Sequence, residues 1–258
     1  RHARLPLMRG LGDVYKQHKY NVVKSSEAMS EVRPLFSIIT VTYNARLTLP
    51  PTFDSVREQT CDLYEMIVVD GASTDGTVEM LRSCTDVNLR WISEPDKGIY
   101  DAMNKGISMA QGDYLIFLNA GDRFASAETL QMLADAAMDH DFPGIIYGQT
   151  DIVDSRGRVL GPRHLRAPET LSPDSFKEGM VVCHQAFVVL RKIAGFYNLK
   201  YRFSADYDWC IQCLQHSRRN HYVDETIIHY LNEGMTTANM RASLRERFRI
   251  MCRYFGTF

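Results

Sequence analysis

The sequence predicts an α/β fold, a mostly parallel central sheet with helices on both faces. Three observations predict it. Short apolar runs rich in β-branched residues alternate with helical patterns between residues 36 and 120, the order that builds a sheet by successive crossovers. Polar side chains close several of those runs, at the end of the strands where open α/β sheets bind ligands. The length of 258 residues with 45% hydrophobic content is enough for one sizeable core, alone or with an appendage.

The first strand is FSIITVTYN (36–44), ending on Tyr43 and Asn44. Pro50 and Pro51 then precede a helical pattern over 52–60, where a first helical turn tolerates proline. The second strand, EMIVVDG (65–71), ends on Asp70, and a helical pattern follows from Gly76 to about Cys84. LRWISEP (89–95) is the third strand, with Glu94 and Asp96 beside the same rim. Asp96 is placed to cap a helix running from about Lys97 to Ala110. The fourth strand, DYLIFLNA (113–120), runs directly into Asn119, Gly121 and Asp122. Beyond Asp154 periodicity is lost over SRGRVLGPRHLRAPETLSPDSFKEG, which predicts a mobile loop before the apolar MVVCHQAFVVL.

Two carboxylates on one rim, Asp70 and Asp122, repel each other unless a cation or a hydrogen-bonding ligand lies beside them. A hard cation such as Mg²⁺ takes only one or two protein carboxylates and completes its shell with water and phosphate oxygens. Taken singly, strand-terminal Asp and Asn are also ordinary turn formers.

Four blocks in order and spacing, FSIITVTYNA, VVDGASTDGT, EPDKGIYDAMNKGISMAQGDYLIFLNAGD and RFSADYDWCIQCLQ, resemble the family 2 glycosyltransferases, especially bacterial O-antigen and exopolysaccharide enzymes of the colanic-acid type. The resemblance covers residues 36–235. It implies the GT-A nucleotide-diphospho-sugar transferase fold and an inverting, metal-dependent transfer of a sugar in cell-surface polysaccharide synthesis. Under it Asp206 matches the catalytic base, and Asp122 matches the last Asp of the metal-binding D-x-D block, with Mg²⁺ or Mn²⁺ as cofactor. Asp70 matches the contact to the nucleotide base or ribose. Tyr43, Asn44, Glu94, Asp96 and Asn119 are placed around the donor, and Asp208 and His184 toward the acceptor or in structural roles. The block here is reduced to NAGD, and Gly71 stands where the family often has a second Asp.

The implied partners are a nucleotide-diphosphate sugar, UDP-sugar by default, and a saccharide or polyprenyl-linked saccharide acceptor. The residue types suit that chemistry. A leaving diphosphate accumulates charge that a metal stabilises, and an acceptor hydroxyl needs a base, worth typically ~10²–10⁴-fold. Asp206 stands at a helix start, where negative charge is favoured.

Other classes fit less well. A nicotinamide-dependent oxidoreductase requires G-x-G-x-x-G after the first strand, and TVTYNARLTL contains no glycine. A degenerate sugar-nucleotide-binding module would lack the metal acid or the base, and both are present. His184 and His229 are flanked by apolar runs and read first as core histidines. The formal net charge of −1 argues against a nucleic-acid partner. Six scattered cysteines without an apolar leader predict no disulfides and a reducing cytoplasm. Cys210 and Cys213, spaced C-x-x-C in a probable helix, read as packing.

The expected organisation is an extension or remnant at 1–34, a GT-A domain at 35–235 and a basic amphipathic helix at 236–258. On that helix Leu244, Phe248, Met251 and Phe255 follow one stripe flanked by arginines. It either packs on the domain or rests on the anionic inner face of the cell membrane.

Overall fold

In a computed structural model, residues 33–232 and 240–256 are described; the expected extension at 1–34 lies almost wholly outside them. In chain order the elements are β1 (Phe36–Thr42), α1 (Leu49–Arg57), β2 (Tyr64–Asp70), α2 (Thr77–Ser83), β3 (Leu89–Ser93), α3 (Ile99–Met109), β4 (Tyr114–Phe117) and β5 (Arg123–Phe124). They continue with α4 (Thr129–Asp139), β6 (Ile145–Val153), β7 (Val159–Pro162), β8 (Phe187–Leu190), α5 (Ala205–His216), β9 (Asn220–Leu231) and α6 (Met240–Phe255). Short 3₁₀ turns lie at Pro173–Glu178, His184–Ala186 and Arg191–Ile193.

One sheet runs in the order β3-β2-β1-β4-β8-β6-β9-β5, with β7 on β6. The parallel character read from the sequence holds for β3-β2-β1-β4. Past β4 the sheet is mixed: β8 runs antiparallel to both β4 and β6, β5 antiparallel to β9, and β6 parallel to β9. That half came without clear periodicity because its strands are interrupted by irregular chain, so alternation along the sequence never builds up.

Register sets the functional rim. Thr42 pairs with Asp70 and Asp70 with Ser93, so β1, β2 and β3 end level with one another. Leu118 continues the β4 pairing by donating to the Ile39 carbonyl, and the Thr40 hydroxyl donates to Leu118 O at 2.7 Å. The residues after β4 therefore enter the same rim. α3 packs on β1 and β2, and Gly106 allows the close approach, since a Cβ there would lie 2.4 Å from Ile39. The helix cap expected at Asp96 falls at Gly98 instead. Asp96 closes the preceding turn by accepting the Gly98 N–H at 2.7 Å.

The opposite end of the sheet is held by a charge. The Glu65 carboxylate, buried at the start of β2, accepts the Ser37 hydroxyl at 2.7 Å, the Gln111 N–H at 2.6 Å and the Gly112 N–H at 3.2 Å, and pairs with Arg90. It joins β1, β2, β3 and the turn into β4. Burial pushes its carboxyl up, but the bonds from Ser37, Gln111 and Arg90 outweigh that and hold it below the ordinary glutamate value. No two of the six cysteines are joined by a disulfide, and Cys210 and Cys213 on α5 are buried. No helix among the described residues is long and apolar enough to cross a membrane.

Glu65→Gln keeps an acceptor but loses the charge. It is expected to cost about 1–2 kcal/mol at neutral pH, with the Arg90 share reduced by solvent screening. Because the folded carboxyl is held below its unfolded value, the wild-type advantage is complete above the ordinary glutamate range and is lost as pH falls through the lowered folded value. Denaturant midpoints of the two proteins should converge on acidification; a gap that persists unchanged would assign the stabilisation to packing.

Candidate active site

A cleft of about 710 Å³ opens at this rim, and its lining includes Tyr43, Asn44, Asp96, Asn119, Asp122, His184 and Asp206. It thus gathers most of the residues singled out from the sequence. Asp70, Glu94 and Asp208 are not among the lining residues.

Asp122 is positioned by the turn after β4. Gly121 has φ +102°, and a Cβ there would meet Leu231 at 2.5 Å, so the turn needs glycine. Its N–H donates to the Thr52 hydroxyl at 2.9 Å, and that hydroxyl donates to Asp122 O at 2.8 Å. The Asp122 carboxylate is 3% exposed. It accepts the Leu231 N–H at 3.0 Å and the Gln185 amide at 2.8 Å, both neutral donors. Burial therefore dominates and pushes its carboxyl up to about 7, although Leu231, Gln185 and Asn119 oppose the shift. Beside it in the lining, Asn119 Oδ1 is buried with no hydrogen-bond partner.

That pair fits a hard cation: one carboxylate short of positive charge and one orphaned oxygen, in a cleft with room for phosphate oxygens. Among the described residues no group of three or more His, Cys, Asp or Glu side chains is placed to hold a metal by itself.

Asp206 belongs to the first turn of α5. Its Oδ1 accepts the Tyr100 hydroxyl at 3.0 Å and the Tyr207 N–H at 2.9 Å. Among the described residues no donor engages Oδ2. Tyr100 is itself buried, which together with Asp206 keeps its phenol protonated by raising its pKa.

Asp70 stands in a different place from the one the resemblance implied. It is 0% exposed and accepts from the Thr42 hydroxyl at 3.0 Å, the Ser93 hydroxyl at 2.7 Å, and the Ser73 N–H and hydroxyl at 2.9 and 2.5 Å. Burial pushes its carboxyl up, and the bonds from Ser73, Ser93 and Thr42 more than reverse this, leaving it below the ordinary value. With its acceptor sites filled from within the chain, it shapes the loop after β2. The same loop is stitched to the end of β1: Asn44, at φ +50°, accepts the Thr74 N–H at 3.0 Å and donates its own N–H to Ser73 at 2.7 Å. Tyr43 beside it is 70% exposed over the cleft.

Three further residues singled out from the sequence have partners within the chain. Glu94 faces Lys105 at 2.8 Å as a half-exposed ion pair. Asp208 is buried and accepts from Tyr254 at 2.9 Å and Gln212 at 2.6 Å, joining α6 to α5. His184 lines the cleft, but its Nε2 bonds the Tyr197 hydroxyl and its ring packs against Phe117 and Trp209. Burial lowers its pKa to about 4, against the pull of Asp206, so it is a neutral aromatic wall at ordinary pH. His229 pairs with Arg123 in the β5–β9 ladder. Sequence reading missed Thr52, Tyr100 and Gln185, whose side chains reach the two acids across 70, 106 and 63 residues. Tyr100 at least sits within the third resembling block.

The family model for glycosyl transferase family 2 matches residues 37–194. The chain belongs to that family. A PGL/p-HBAD biosynthesis glycosyltransferase of Mycobacterium bovis is 34% identical over 186 residues, covering 70% of each chain. The putative teichuronic acid biosynthesis glycosyltransferase TuaG of Bacillus subtilis is 31% identical over 162 residues, 60% of this chain and 62% of TuaG. Among solved structures, S. aureus TarS 1-349 in complex with UDP superposes with a TM-score of 0.68 at 17% identity over 84% of this chain. The mannosyltransferase PcManGT from Pyrobaculum calidifontis, in complex with GDP-Man and Mn²⁺, gives a TM-score of 0.58 at 18% identity over 93% of this chain. The two share the GT-A fold with this family 2 chain, which spans 64% of the TarS structure and 71% of PcManGT.

The raised Asp122 carboxyl makes a prediction for the metal-free protein. Its proton is held more tightly in the folded than in the unfolded chain, so stability declines as pH rises from the ordinary aspartate range, roughly 3.9, through about 7. In a chelator, Asp122→Asn should match wild type near pH 4 and melt higher than wild type at pH 8. A variant that melts lower at pH 8 would show that the ionised carboxylate is stabilised by its neighbours.

Proposed function

We propose that this chain is an inverting, metal-assisted glycosyltransferase that moves a sugar from a nucleoside-diphosphate sugar to a hydroxyl of a saccharide or lipid-linked saccharide, in cell-surface glycan synthesis. One observation carries the reading: Asp122 and Asp206 open into one cleft in contrasting surroundings, the first buried among neutral donors, the second with one oxygen held and the other open. The glycan context is supported by the mycobacterial PGL/p-HBAD enzyme and TuaG. The donor class is supported by TarS with UDP and UDP-GlcNAc and by PcManGT with GDP-Man.

In this reading Tyr43, Asn44 and the loop after β2 receive the nucleotide. Asp122 and Asn119 would hold Mg²⁺ or Mn²⁺, which supplies Lewis-acid stabilisation of the leaving diphosphate. Tyr100 fixes the Asp206 carboxylate through Oδ1. Oδ2 takes the proton from the acceptor hydroxyl, whose oxygen forms the new bond at the anomeric carbon as the bond to the diphosphate breaks and its electron pair leaves with the diphosphate. A single displacement from the opposite face inverts the configuration, and one base is sufficient.

Asp206→Asn keeps the Tyr100 contact but cannot take a proton. Turnover should fall ~10²-fold or more with donor affinity retained. Lost donor binding with normal turnover at saturating donor would instead move Asp206 into the nucleotide site. Asp122→Ala should abolish the Mn²⁺ dependence of donor binding, and full wild-type turnover in a chelator would remove the metal from the mechanism.

The lipid-linked acceptor is supported by the outer face of α6. Ser243 and Ile250 are buried, while Met240, Leu244 and Phe248 are 57%, 57% and 63% exposed. The stripe expected from the sequence is therefore divided, with Leu244 and Phe248 in solvent and Met251 and Phe255 half-buried. Exposed Arg241, Arg245 and Arg249 flank the exposed part, and each contributes roughly 1 kcal/mol at an anionic surface. The double variant Leu244→Glu/Phe248→Glu leaves the buried face untouched. It should abolish co-sedimentation with vesicles containing anionic lipid; recovery of the wild type in the supernatant at low salt would refute the membrane contact.

A further inference from the structure

Three arginines line the cleft: Arg163 after β7, Arg202 before α5 and Arg247 on α6. Among the described residues none of the three forms an ion pair, whereas Arg57, Arg82, Arg90, Arg158, Arg219 and Arg253 do. Arg163 is anchored by one nitrogen, Nη1, which donates to Met180 O at 2.6 Å and Leu165 O at 3.2 Å. Arg202 lies over the Phe203 ring, 5.5 Å from its centroid. Arg247 lies 6.0 Å from the Tyr207 ring centroid, and its Nε is buried without a hydrogen-bond acceptor. Buried donors ordinarily have a partner, and among the described residues this one has none.

Arg247 is brought there by its neighbour. The Glu246 carboxylate accepts the backbone N–H groups of Arg202, Phe203 and Ser204 at 2.9, 2.8 and 3.0 Å. Ser243 meets the Ser204 hydroxyl at 2.9 Å. These contacts clamp α6 onto the chain that leads into α5, one turn from Asp206. The helix thereby delivers Arg247 into the cleft that Asp206 also lines.

We propose that Arg247, with Arg202 and Arg163, forms a diphosphate-binding subsite beside Asp206, and that Glu246 is the positioning residue that sets it. The inference rests on the transferase reading and deepens it. A guanidinium fork matches two phosphate oxygens at once. Three such groups suit the multiple charge of a diphosphate, whereas a single sugar carboxylate would satisfy only one of them. Two ligands of that reading carry a diphosphate: the donor nucleotide and a polyprenyl-diphosphate acceptor.

Calorimetry in a chelator separates the sources, with UDP and GDP against uridine and guanosine, and farnesyl diphosphate against farnesol. Arg247→Ala should weaken binding of a diphosphate on the order of 10-fold or more while leaving the matching nucleoside or alcohol unchanged. The unchanged partner also reports that the variant is folded. Glu246→Ala should reproduce the loss, and Arg247→Lys should recover part of it. A loss confined to UDP or GDP assigns the subsite to the donor, and a loss confined to farnesyl diphosphate assigns it to the acceptor. Wild-type affinity for both kinds of diphosphate in Arg247→Ala and in the exposed-site variant Arg202→Ala overturns this inference and leaves the transferase reading standing. A wild-type protein that binds none of the diphosphates in a chelator overturns this inference, and one that binds none of them with Mn²⁺ either overturns both.

Discussion

The burial of the Asp122 carboxylate is the constraint on which the rest of the cleft depends. Its oxygens accept from the end of β9 through Leu231 and from the turn before β8 through Gln185. Its own carbonyl and the N–H of Gly121 are held by Thr52 of α1. One residue therefore joins the parallel half of the sheet, where it emerges, to the mixed half that wraps the other side of the cleft. An acid so enclosed by neutral donors is held short of positive charge, and that shortage is what makes the position suited to a cation. Structural and chemical roles are the same fact here, because the hydrogen bonds that fix the carboxylate do not offset the burial that raises its pKa.

The acids of this rim divide according to what fills their lone pairs. Asp70 is saturated by Thr42, Ser73 and Ser93, so it braces the ends of β1, β2 and β3. Asp208 is spent on Tyr254 and Gln212, so it braces α6 against α5. Asp206, two positions earlier on the same helix, has one oxygen held by Tyr100. Proximity in sequence thus says little about role. On a helix, residues two apart point to different sides, and one side here is the cleft while the other is the seam between two helices.

That seam changes the standing of the C-terminal helix. Glu246 caps the three backbone N–H groups ahead of α5, Ile250 reaches the core, and Arg247 reaches the cleft. Its opposite face carries Met240, Leu244 and Phe248 into solvent. A single helix thus presents an apolar face to solvent and a guanidinium to the cleft.

How much of this was legible differs from element to element. β1 to β4 and the helices between them could be read because each is a local pattern: apolar β-branched runs, amphipathic spacing, proline at a helix start and polar residues at strand ends. The nucleotide-sugar fold and the positions of Asp122 and Asp206 were legible for the same reason, through blocks of residues close in sequence. The mixed half of the sheet was not, since β6, β8 and β9 are ordered by pairings that span irregular chain and leave no period behind. Nor could the sequence tell that the Asp70 carboxylate is saturated while Asp206 has one oxygen held, or that Leu244 lies in solvent and Ile250 in the core. Which acid is saturated and which is open, and which face of α6 is covered, depend on donors and surfaces contributed from distant parts of the chain. Local chemistry in the sequence determined what each segment can form; only the tertiary structure decided what each side chain faces, because burial and hydrogen bonding are properties of neighbours that folding alone brings together.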